Sequence, residues 1–373
     1  MTSNKLNTYK IGDLINPIDE RNVSGIKKFY GININKDFMP TVADTNGLDE
    51  SKYKVVRKNR FVFSGMQTGR DQCIRISMYM NETPIIVSPA YTTFEIISTD
   101  LILPTYFFML FLSKEKDRLG AFYSDASIRS NLDWDVFCDI DITLPDKTVQ
   151  QKYVDIYESM VANQKSYEKG LDDLKLTCDA YLDKLKKECN KKIIGKYLKQ
   201  CDLRNDNEEL TLENLRGIST EKKFIDSKAD MMDVSLKNYK VVKPNQFTYV
   251  ADTSRRGDKI ALAFNDSKEN YLVSSIYTVF EVEENELNPH YLMMFLSQSD
   301  FDRYARFNSW GSARETFDWS EMCDVQIPIP DIEIQKSIAN IYKVYTQRKK
   351  INEKLKAQIR DICPILIKGS LEA

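Results

Sequence analysis

The most constraining feature of this sequence is an internal repeat that covers most of its length. Tyr53-Lys54-Val55-Val56 returns as Tyr239-Lys240-Val241-Val242, displaced by 186 residues in a chain of 373. A displacement of 186 or 185 relates five further pairs in the same order: Tyr91 and Tyr277, Phe94 and Phe280, Trp134 and Trp319, Cys138 and Cys323, and Pro145 and Pro330. Solenoid repeats are only about 20 to 50 residues long. The repeat therefore predicts two copies of one domain, and a target with two related parts.

Composition places the chain among ordinary globular proteins. It is 42% hydrophobic and 29% charged, and each half is long enough to bury its own core. The seven cysteines are odd in number and form no CxxC pair, and the N-terminus has no signal-peptide pattern. We therefore predict a reducing, cytoplasmic location.

Neither a membrane span nor a strongly basic surface is indicated. The most apolar run, Tyr106–Leu112, is much shorter than the roughly 20 residues that cross a bilayer. The formal net charge of −2 gives no overall attraction to nucleic acid. Any DNA binding would have to come from local basic patches.

Each half begins with a body of mixed strand and helix character. In the first half, residues 60–64, 72–80 and 85–97 are rich in β-branched and aromatic residues and are predicted as strands. Residues 105–122 have helical periodicity and predict one helix packed on the sheet. A short alternating strand then closes each body, formed by Ile140, Ile142 and Leu144 in the first half and by Val325, Ile327 and Ile329 in the second.

Each half ends in a pattern that is typical of a coiled-coil helix. In the first half, residues at alternating spacings of four and three form a seam: Tyr153, Tyr157, Met160, Gln164, Tyr167, Leu171, Leu174, Cys178, Tyr181 and Leu185. The seam of the second half is Ile334, Ile338, Ile341, Tyr345, Arg348, Asn352, Leu355, Ile359, Ile362 and Leu366. About 40 residues would give a helix roughly 60 Å long, more than is needed to cover a small sheet.

The ends of these helices also have sequence signals. Asp146 and Asp331 each follow a proline and are predicted N-caps, and Gly195 is the predicted stop of the first helix. An amphipathic stripe on a single helix usually only covers a core. Because the same helix recurs in both halves, we predict that the two seams pair within the chain, with pairing to a second subunit as the alternative.

The usual catalytic motifs are missing. The single histidine, His290, has Thr105 as its equivalent in the first half, which excludes a histidine mechanism common to both bodies; we expect it at the surface near a helix start. There is no phosphate-binding loop, dinucleotide fingerprint or H-E-x-x-H motif, and no Asn-Pro-Pro-aromatic signature of amino-methyltransferases. A nuclease built from Asp and Lys alone stays open as an alternative.

Two arginines occupy equivalent places in both bodies. Arg70 matches Arg256 in a turn between two predicted strands, and Arg129 matches Arg314 in a loop of small residues before an Asp-Trp pair. Arginine makes bidentate contacts with guanine or phosphate, and small polar residues let a phosphate approach the backbone. The other loop residues differ between the halves, as expected if the two bodies read different sequences.

The candidate DNA-binding residues therefore come from these four loops. They are Gln67, Thr68, Arg70, Ser127 and Arg129 in the first half, and Thr253, Ser254, Arg255, Arg256, Ser312 and Arg314 in the second. The alternative is a structural role, in which the arginines pair with the neighbouring Asp71, Asp133 and Asp318.

The doubled order of these motifs resembles the specificity subunits of Type I restriction-modification systems. The order Y-K-V-V, a basic turn, V-S-x-x-Y-T-x-F (residues 87–94 and 273–280), an Arg loop, D-W, a closing strand and Pro-Asp before a helix is similar to their target recognition domains. The resemblance covers essentially the whole chain. It implies an α+β fold with two pseudo-symmetric mixed β/α recognition domains, joined by two long helices that pair as an antiparallel coiled coil.

The resemblance also implies the domain boundaries and the partners. Residues 1–146 and 196–331 would be the recognition domains, and residues 147–195 and 332–373 the spacer helices. Each recognition domain would read one half of a split site in double-stranded DNA. The helices would set the spacer and dock two methyltransferase subunits, and two restriction-translocase subunits would join them. S-adenosylmethionine, ATP and Mg²⁺ would belong to those partners, and this chain would be non-catalytic and hold no cofactor.

Two other functional classes remain as alternatives. The first is a coiled-coil scaffold whose bodies bind protein partners. The second is a nuclease or combined restriction enzyme, or a specificity subunit of a related combined restriction-methylation enzyme. DNA binding with a steep salt dependence would favour the specificity subunit over the scaffold, and DNA cleavage by the chain with Mg²⁺ would favour the nuclease.

Overall fold

The computed structural model describes residues 6–227, 234–254, 257, 259–283, 286–312 and 314–373. The chain forms two compact units. Unit 1 comprises Met1–Tyr167 with Ile351–Ala373, and unit 2 comprises Glu168–Lys350. Each unit therefore contains one body together with part of each long helix. The predicted boundaries at residues 146, 195 and 331 remain a prediction.

The described part of the body of unit 1 has ten strands and four short helices. The strands are β1 (Asn7–Lys10), β2 (Ile15–Pro17), β3 (Phe29–Ile32), β4 (Phe38–Pro40), β5 (Lys54–Val56), β6 (Phe61–Ser64), β7 (Arg75–Met78), β8 (Ile85–Val87), β9 (Thr92–Ile96) and β10 (Asp141–Leu144). The helices are α1 (Thr68–Asp71), α2 (Pro104–Leu110), α3 (Lys114–Phe122) and α4 (Trp134–Cys138). The long helix α5 (Lys147–Glu188) begins in this unit and ends in unit 2.

The described part of unit 2 has an equivalent series of elements. Its strands are β11 (Lys191–Ile193), β12 (Leu198–Cys201), β13 (Arg216–Ile218), β14 (Phe224–Asp226), β15 (Lys240–Val242), β16 (Phe247–Tyr249), β17 (Leu262–Phe264), β18 (Tyr271–Val273), β19 (Thr278–Val282) and β20 (Gln326–Pro328). Its helices are α6 (Pro289–Leu296), α7 (Ser299–Phe307) and α8 (Trp319–Cys323). The long helix α9 (Ile332–Glu372) begins here and ends in unit 1.

The sheets of the two bodies have equivalent strand orders. Unit 1 has the antiparallel order β2-β9-β6-β7 and unit 2 the order β12-β19-β16-β17. The pairing registers also agree, because Phe61 lies opposite Phe94 and Phe247 opposite Phe280. Both phenylalanine pairs are stacked, with ring centroids 5.0 Å and 4.9 Å apart. The sequence repeat thus builds the same sheet core twice.

A second set of strands also follows the repeat. In unit 1 the order is β4-β3-β8-β5, with β3 and β8 parallel. Unit 2 has the pairs β13-β14 and β15-β18, linked by a parallel bridge between Leu215 and Leu272. The closing strands β10 and β20 pair with β1 and β11 respectively. The chain is a mixed α/β protein, as predicted.

Three predicted elements have different bounds in the structure. Residues 105–122 form two helices, α2 and α3, because the Ser113 side chain accepts a hydrogen bond from the Lys116 N–H and caps a new helix. Residues 85–97 form two strands separated by a turn, and only Arg75–Met78 of residues 72–80 is a strand. His290 is the half-buried second residue of α6, near a helix start as predicted, with its ring edge-on to Phe264.

The first long helix is shorter than predicted. It ends at Glu188, before Gly195, because the chain next forms β11, whose hydrogen bonds to β20 require an extended backbone. Gly195 instead lies against Cys323, where an ideal Cβ would be 2.7 Å from the Cys323 Cβ. A glycine is required there by close packing, and not by the end of a helix. The described residues contain no helix that is both long enough and apolar enough to span a membrane.

A buried glutamine fastens the start of each long helix to its body. The Gln150 side chain accepts a hydrogen bond from the Leu103 N–H and donates to the carbonyls of Leu101 and Pro145. Gln335 makes the equivalent three bonds, to the Asn288 N–H and to the carbonyls of Glu286 and Pro330. Both glutamines are completely buried. The carbonyls of Asp146 and Asp331 accept the first helical hydrogen bonds.

Within each unit, the two long helices pack together. In unit 1, Val154 and Tyr157 of α5 share a core cluster with Cys363 and Leu366 of α9. Further along α5, Gln164 donates a hydrogen bond of 2.9 Å to Asn352. Residues later in α5 thus contact residues earlier in α9, so the two helical segments run antiparallel in this unit. In unit 2, a separate core cluster contains three α5 residues and two α9 residues: Cys178, Leu182, Leu185, Ile338 and Ala339.

The predicted seam is only partly buried. Tyr181 was predicted in the seam, but it is exposed and the next residue, Leu182, is buried instead. Three other predicted seam residues are also exposed: Tyr167, Ile334 and Arg348. The two polar seam residues, Gln164 and Asn352, are buried against each other. A polar pair of this kind selects one register, because any slip would leave its amide groups unsatisfied.

Candidate nucleic-acid interface

Two loops lie side by side in unit 1. The α1 loop (residues 65–72) follows β6, and the tip loop (residues 125–131) follows α3. The Leu132 N–H donates to the Gly65 carbonyl at 2.9 Å, and the Gly69 N–H donates to the Ser130 carbonyl at 3.1 Å. A Cβ on Gly65 would overlap the Leu132 carbonyl oxygen, so only glycine permits this approach.

The tip loop is closed by its first residue. The Asp125 N–H donates to the Asn131 carbonyl, and the Asp125 carboxylate accepts from the Asn131 N–H and from the N–H and hydroxyl of Ser127. These hydrogen bonds, with that of the Ser127 hydroxyl the strongest, lower the pKa of Asp125. Ile128, at the middle of the tip, is fully exposed. The loop is thus a closed protrusion that presents its central side chains to solvent.

The predicted arginines of unit 1 are brought together by this loop pairing. Gly69 and Ser130 share a hydrogen bond, and each is the chain neighbour of a candidate, Arg70 or Arg129. Arg129 is exposed, and no acidic side chain in the described residues pairs with it. Arg70 is 59% exposed and donates to Asp71 at 3.0 Å, which is the structural pairing considered as the alternative.

Asp71 joins Arg70 to a second arginine. Its carboxylate also accepts from Arg75, which is less exposed. Burial opposes ionisation of Asp71, but the hydrogen bonds from Arg70 and Arg75 outweigh burial and lower its pKa. Arg70 is therefore exposed but paired with a carboxylate. Arg129 is exposed and has no carboxylate partner in the described residues.

The other candidates of unit 1 differ in accessibility. Ser127 is exposed on the tip loop. Gln67 is half-buried in a left-handed conformation with φ 63°. Thr68 is completely buried, and its hydroxyl donates to the Gly65 carbonyl at 2.9 Å. Its side chain holds the turn and does not reach the surface.

Unit 2 has the equivalent loop pairing. The Phe317 N–H donates to the Ala251 carbonyl at 2.9 Å, and the Thr253 N–H donates to the Glu315 carbonyl at 3.0 Å. Trp310 and Thr316 close the tip loop of this unit through two backbone hydrogen bonds of 3.0 Å and 2.9 Å. The residues of these pairs lie 184 to 186 positions after their counterparts in unit 1. The repeat therefore conserves the geometry of both loops while their residues change.

The candidates of unit 2 divide in the same way. Ser312 and Arg314 are exposed on the tip loop, and no acidic side chain in the described part of the chain pairs with Arg314. Ser254 is exposed, and its hydroxyl donates to Asp252 at 2.6 Å. Thr253 is almost fully buried and donates to the Glu315 carbonyl. The remaining two candidates, Arg255 and Arg256, lie outside the described residues.

An exposed phenylalanine lies just before the tip loop in each unit, and the arginine pattern in the sequence did not predict it. Phe122 ends α3 and Phe307 ends α7, three residues before the tip loop in each unit. Both rings are exposed, at 80% and 81%. The signal in the sequence is the repeated pattern D-R-x-x-x-F, at residues 117–122 and 302–307.

The aspartate of this pattern fixes the helix in the body. Asp117 accepts from the buried Lys36 ammonium at 2.6 Å and from the Ile74 N–H at 2.9 Å. Asp302 accepts from the buried Lys222 and from the Ile260 N–H. Burial lowers the pKa of Lys222, and its hydrogen bond to Asp302 opposes that change. These buried contacts therefore fix which face of α3 and of α7 lies against the body.

The arrangement supports binding and shows no catalytic constellation among the described residues. The exposed groups are guanidinium, hydroxyl and aromatic side chains on protruding loops, which suit phosphate and base-edge contacts. The cysteines are free, and burial raises the pKa of Cys138 and Cys201 to about 11, which disfavours reactive thiolates.

Comparison with known proteins gives one family match and several structural matches. Residues 222–361 match the model of the Type I restriction modification DNA specificity domain. No curated protein sequence matches the chain. The Type-I restriction-modification system S subunit from M. genitalium has the same fold, with a TM-score of 0.62 at 9% identity, over 99% of this chain and 97% of that one.

Two other solved chains align over similar lengths with lower scores. One is from a structure on complex assembly and conformational transition of the type I R-M system, with a TM-score of 0.41 at 11% identity over 98% of this chain and 97% of that one. The other is the HsdS subunit from Thermoanaerobacter tengcongensis, with a TM-score of 0.35 at 13% identity over 98% and 96%.

Proposed function

We propose that this chain is the DNA specificity subunit of a Type I restriction-modification complex, because residues 222–361 match the model of the Type I restriction modification DNA specificity domain. The observation that carries the proposal is this match together with the repeat. The matched region includes α7, the tip loop and most of α9, and equivalent elements recur in the first half. The family match in one half thus supports a DNA-reading role for both.

Each body reads one half of a bipartite site in double-stranded DNA. The support is the pair of equivalent tip loops, each with an exposed arginine that has no acidic partner in the described residues: Arg129 and Arg314. Arginine in the major groove discriminates guanine through two hydrogen bonds. The shared backbone geometry with different loop residues fits two readers of different half-sites.

The long helices act as an antiparallel coiled coil that sets the spacer and docks two methyltransferase subunits. The antiparallel contacts in unit 1 and the buried pair Gln164 and Asn352 support this role. Two restriction-translocase subunits complete the assembly. S-adenosylmethionine, ATP and Mg²⁺ act in those partners, and this chain carries recognition without catalysis.

The decisive experiment maps methylated adenine across the genome of the source organism, with and without this chain. We expect a split motif whose methylation disappears on deletion and returns when the chain is supplied on a plasmid. A methylation pattern that does not change would favour a protein scaffold. DNA cleavage by the purified chain with Mg²⁺ would establish the nuclease alternative.

A shortened helix pair is expected to shorten the spacer of the recognised motif. Deleting residues 164–170 and 346–352 together removes one heptad from each helix and both members of the buried polar pair. Seven helical residues rise about 10.5 Å, so at about 3.4 Å per base pair the spacer should lose about three base pairs. The readout is the methylated motif.

A deletion in one helix only is the control for this prediction. It puts the two seams out of register and leaves Gln164 or Asn352 without its partner, so assembly should fail. If the double deletion methylates DNA with the original spacer, the helices do not set the distance.

A further inference from the structure

The pattern D-R-x-x-x-F places an arginine and a phenylalanine on one helix face in each unit. Arg118 and Phe122 lie four residues apart on α3, and Arg303 and Phe307 lie four residues apart on α7. Residues at this spacing are neighbours on a helix surface. Both arginine side chains are 74% exposed. The two units thus present the same cation and the same aromatic ring.

This exposure is held by packing on the opposite side of α3. Asp117 is bound to the buried Lys36, and a Cβ on Gly120 would overlap the Ile74 side chain. Gly69 of the α1 loop lies against Ser124, where its ideal Cβ would be 3.1 Å from the Ser124 Cβ. The end of α3 is therefore fixed beside the two loops and keeps its aromatic ring in solvent.

The arginines on this face are available for a ligand. Arg118 pairs with Glu115 at 3.2 Å, and Arg303 pairs with Asp300 at 2.5 Å. These are exposed pairs on a single helical turn, which contribute little and exchange readily with a phosphate. Each phenylalanine also precedes a tip loop that carries an exposed, unpaired arginine, within the residues that the structure describes.

Single exposed apolar residues are common on proteins. What distinguishes Phe122 and Phe307 is that both units expose the same ring to the same extent while most surrounding loop residues differ. Exposed rings interleaved with arginines do not form the continuous apolar area of a protein-docking surface. They do match proteins that insert an apolar side chain between base pairs and hold the flanking phosphates.

We propose that Phe122 and Phe307 each insert at a base step of their half-site, while Arg118 and Arg303 hold the neighbouring phosphate. The proposal rests on the DNA-reading function above. Insertion unstacks one step and is easiest at flexible pyrimidine–purine steps. The phenylalanines thus add a sequence preference that needs no hydrogen bond to a base edge.

The test uses the full chain with its methyltransferase partner and a duplex carrying the mapped bipartite motif. Phe122→Ala should weaken binding about 5- to 150-fold, the effect of losing one stacked base. Phe122→Tyr should restore it. 2-Aminopurine, which brightens when its stacking is broken, should brighten in half-site 1 with the parent chain and Phe122→Tyr but not with Phe122→Ala.

Phe307→Ala is the matched control, because it should remove the 2-aminopurine signal only in half-site 2. Arg118→Ala should reduce the salt slope of binding by about one. The midpoint of thermal unfolding should not change, since these side chains are exposed. Unchanged affinity and fluorescence with Phe122→Ala would overturn the insertion, as would weakened affinity without brightening in the parent chain. A parent chain that binds no duplex would overturn the proposed function itself.

Discussion

The double variant Arg70→Ala with Arg129→Ala is expected to lose recognition of one half-site and to keep the other. The guanidinium groups of this pair belong to adjacent loops, joined by the hydrogen bond from Gly69 to Ser130. Removing an arginine that reads a base should cost about 1–3 kcal/mol of binding free energy. The larger share should come from Arg129, because Arg70 shares its charge with Asp71.

The measurement compares binding to the correct duplex with binding to duplexes altered in one half-site. For the parent chain, a base change in either half-site should cost about 1–3 kcal/mol. For the double variant, changes in half-site 1 should cost almost nothing, and changes in half-site 2 should cost the same as before. Arg256→Ala with Arg314→Ala should give the reverse pattern.

Lys52→Ala with Lys58→Ala is the control of equal charge. These two lysines are exposed in unit 1 and lie outside both loops. Their removal should weaken binding to all duplexes alike, if at all. If the arginine variant also loses affinity equally on unrelated DNA, its arginines contact phosphate and do not read bases.

The variant Asp302→Ala is expected to destabilise unit 2 by about 3–5 kcal/mol, the usual cost of removing one partner of a buried ion pair. It would leave the Lys222 ammonium buried without its carboxylate and the Ile260 N–H without its acceptor. Domains have only about 5–15 kcal/mol of stability. In urea unfolding followed by tryptophan fluorescence, the midpoint of the unit 2 transition should therefore fall strongly.

The effect should also depend on pH in a defined direction. Burial lowers the pKa of Lys222, and removal of Asp302 takes away the hydrogen bond that opposes this change. The folded variant then binds fewer protons than the unfolded chain between the two pKa values of the lysine. Its stability should rise with pH in that alkaline window.

Asp300→Ala is the matched control on the same helix. Asp300 is exposed and its ion pairs with Lys186 and Arg303 lie at the surface, so its removal should cost less than about 1 kcal/mol. The double variant Lys222→Met with Asp302→Asn should recover most of the stability, because it leaves no buried charge and its amide oxygen can still accept from the Ile260 N–H. A destabilisation by Asp302→Ala no larger than that by Asp300→Ala would mean that the pair does not hold α7.

The linear sequence determined the elements that depend on local pattern. The displacement of 186 residues identified equivalent strands, and the structure gives Phe61–Phe94 and Phe247–Phe280 the same register. Heptad spacing predicted the long helices, and α9 spans nearly its predicted range. These signals are readable because periodicity and repetition are properties of the chain itself.

Only the tertiary structure decided which side chains reach solvent and which distant groups meet. Thr68 lies two positions from the exposed Arg70, and Thr253 lies next to the exposed Ser254, yet both threonines are buried. Gln164 meets Asn352 across 188 positions, and Lys222 meets Asp302 across 80. Burial of a polar group depends on partners far away in sequence, because each must supply a hydrogen bond that water no longer provides. The repeat therefore determined what the two bodies share, and long-range packing decided which side chains each body presents to solvent.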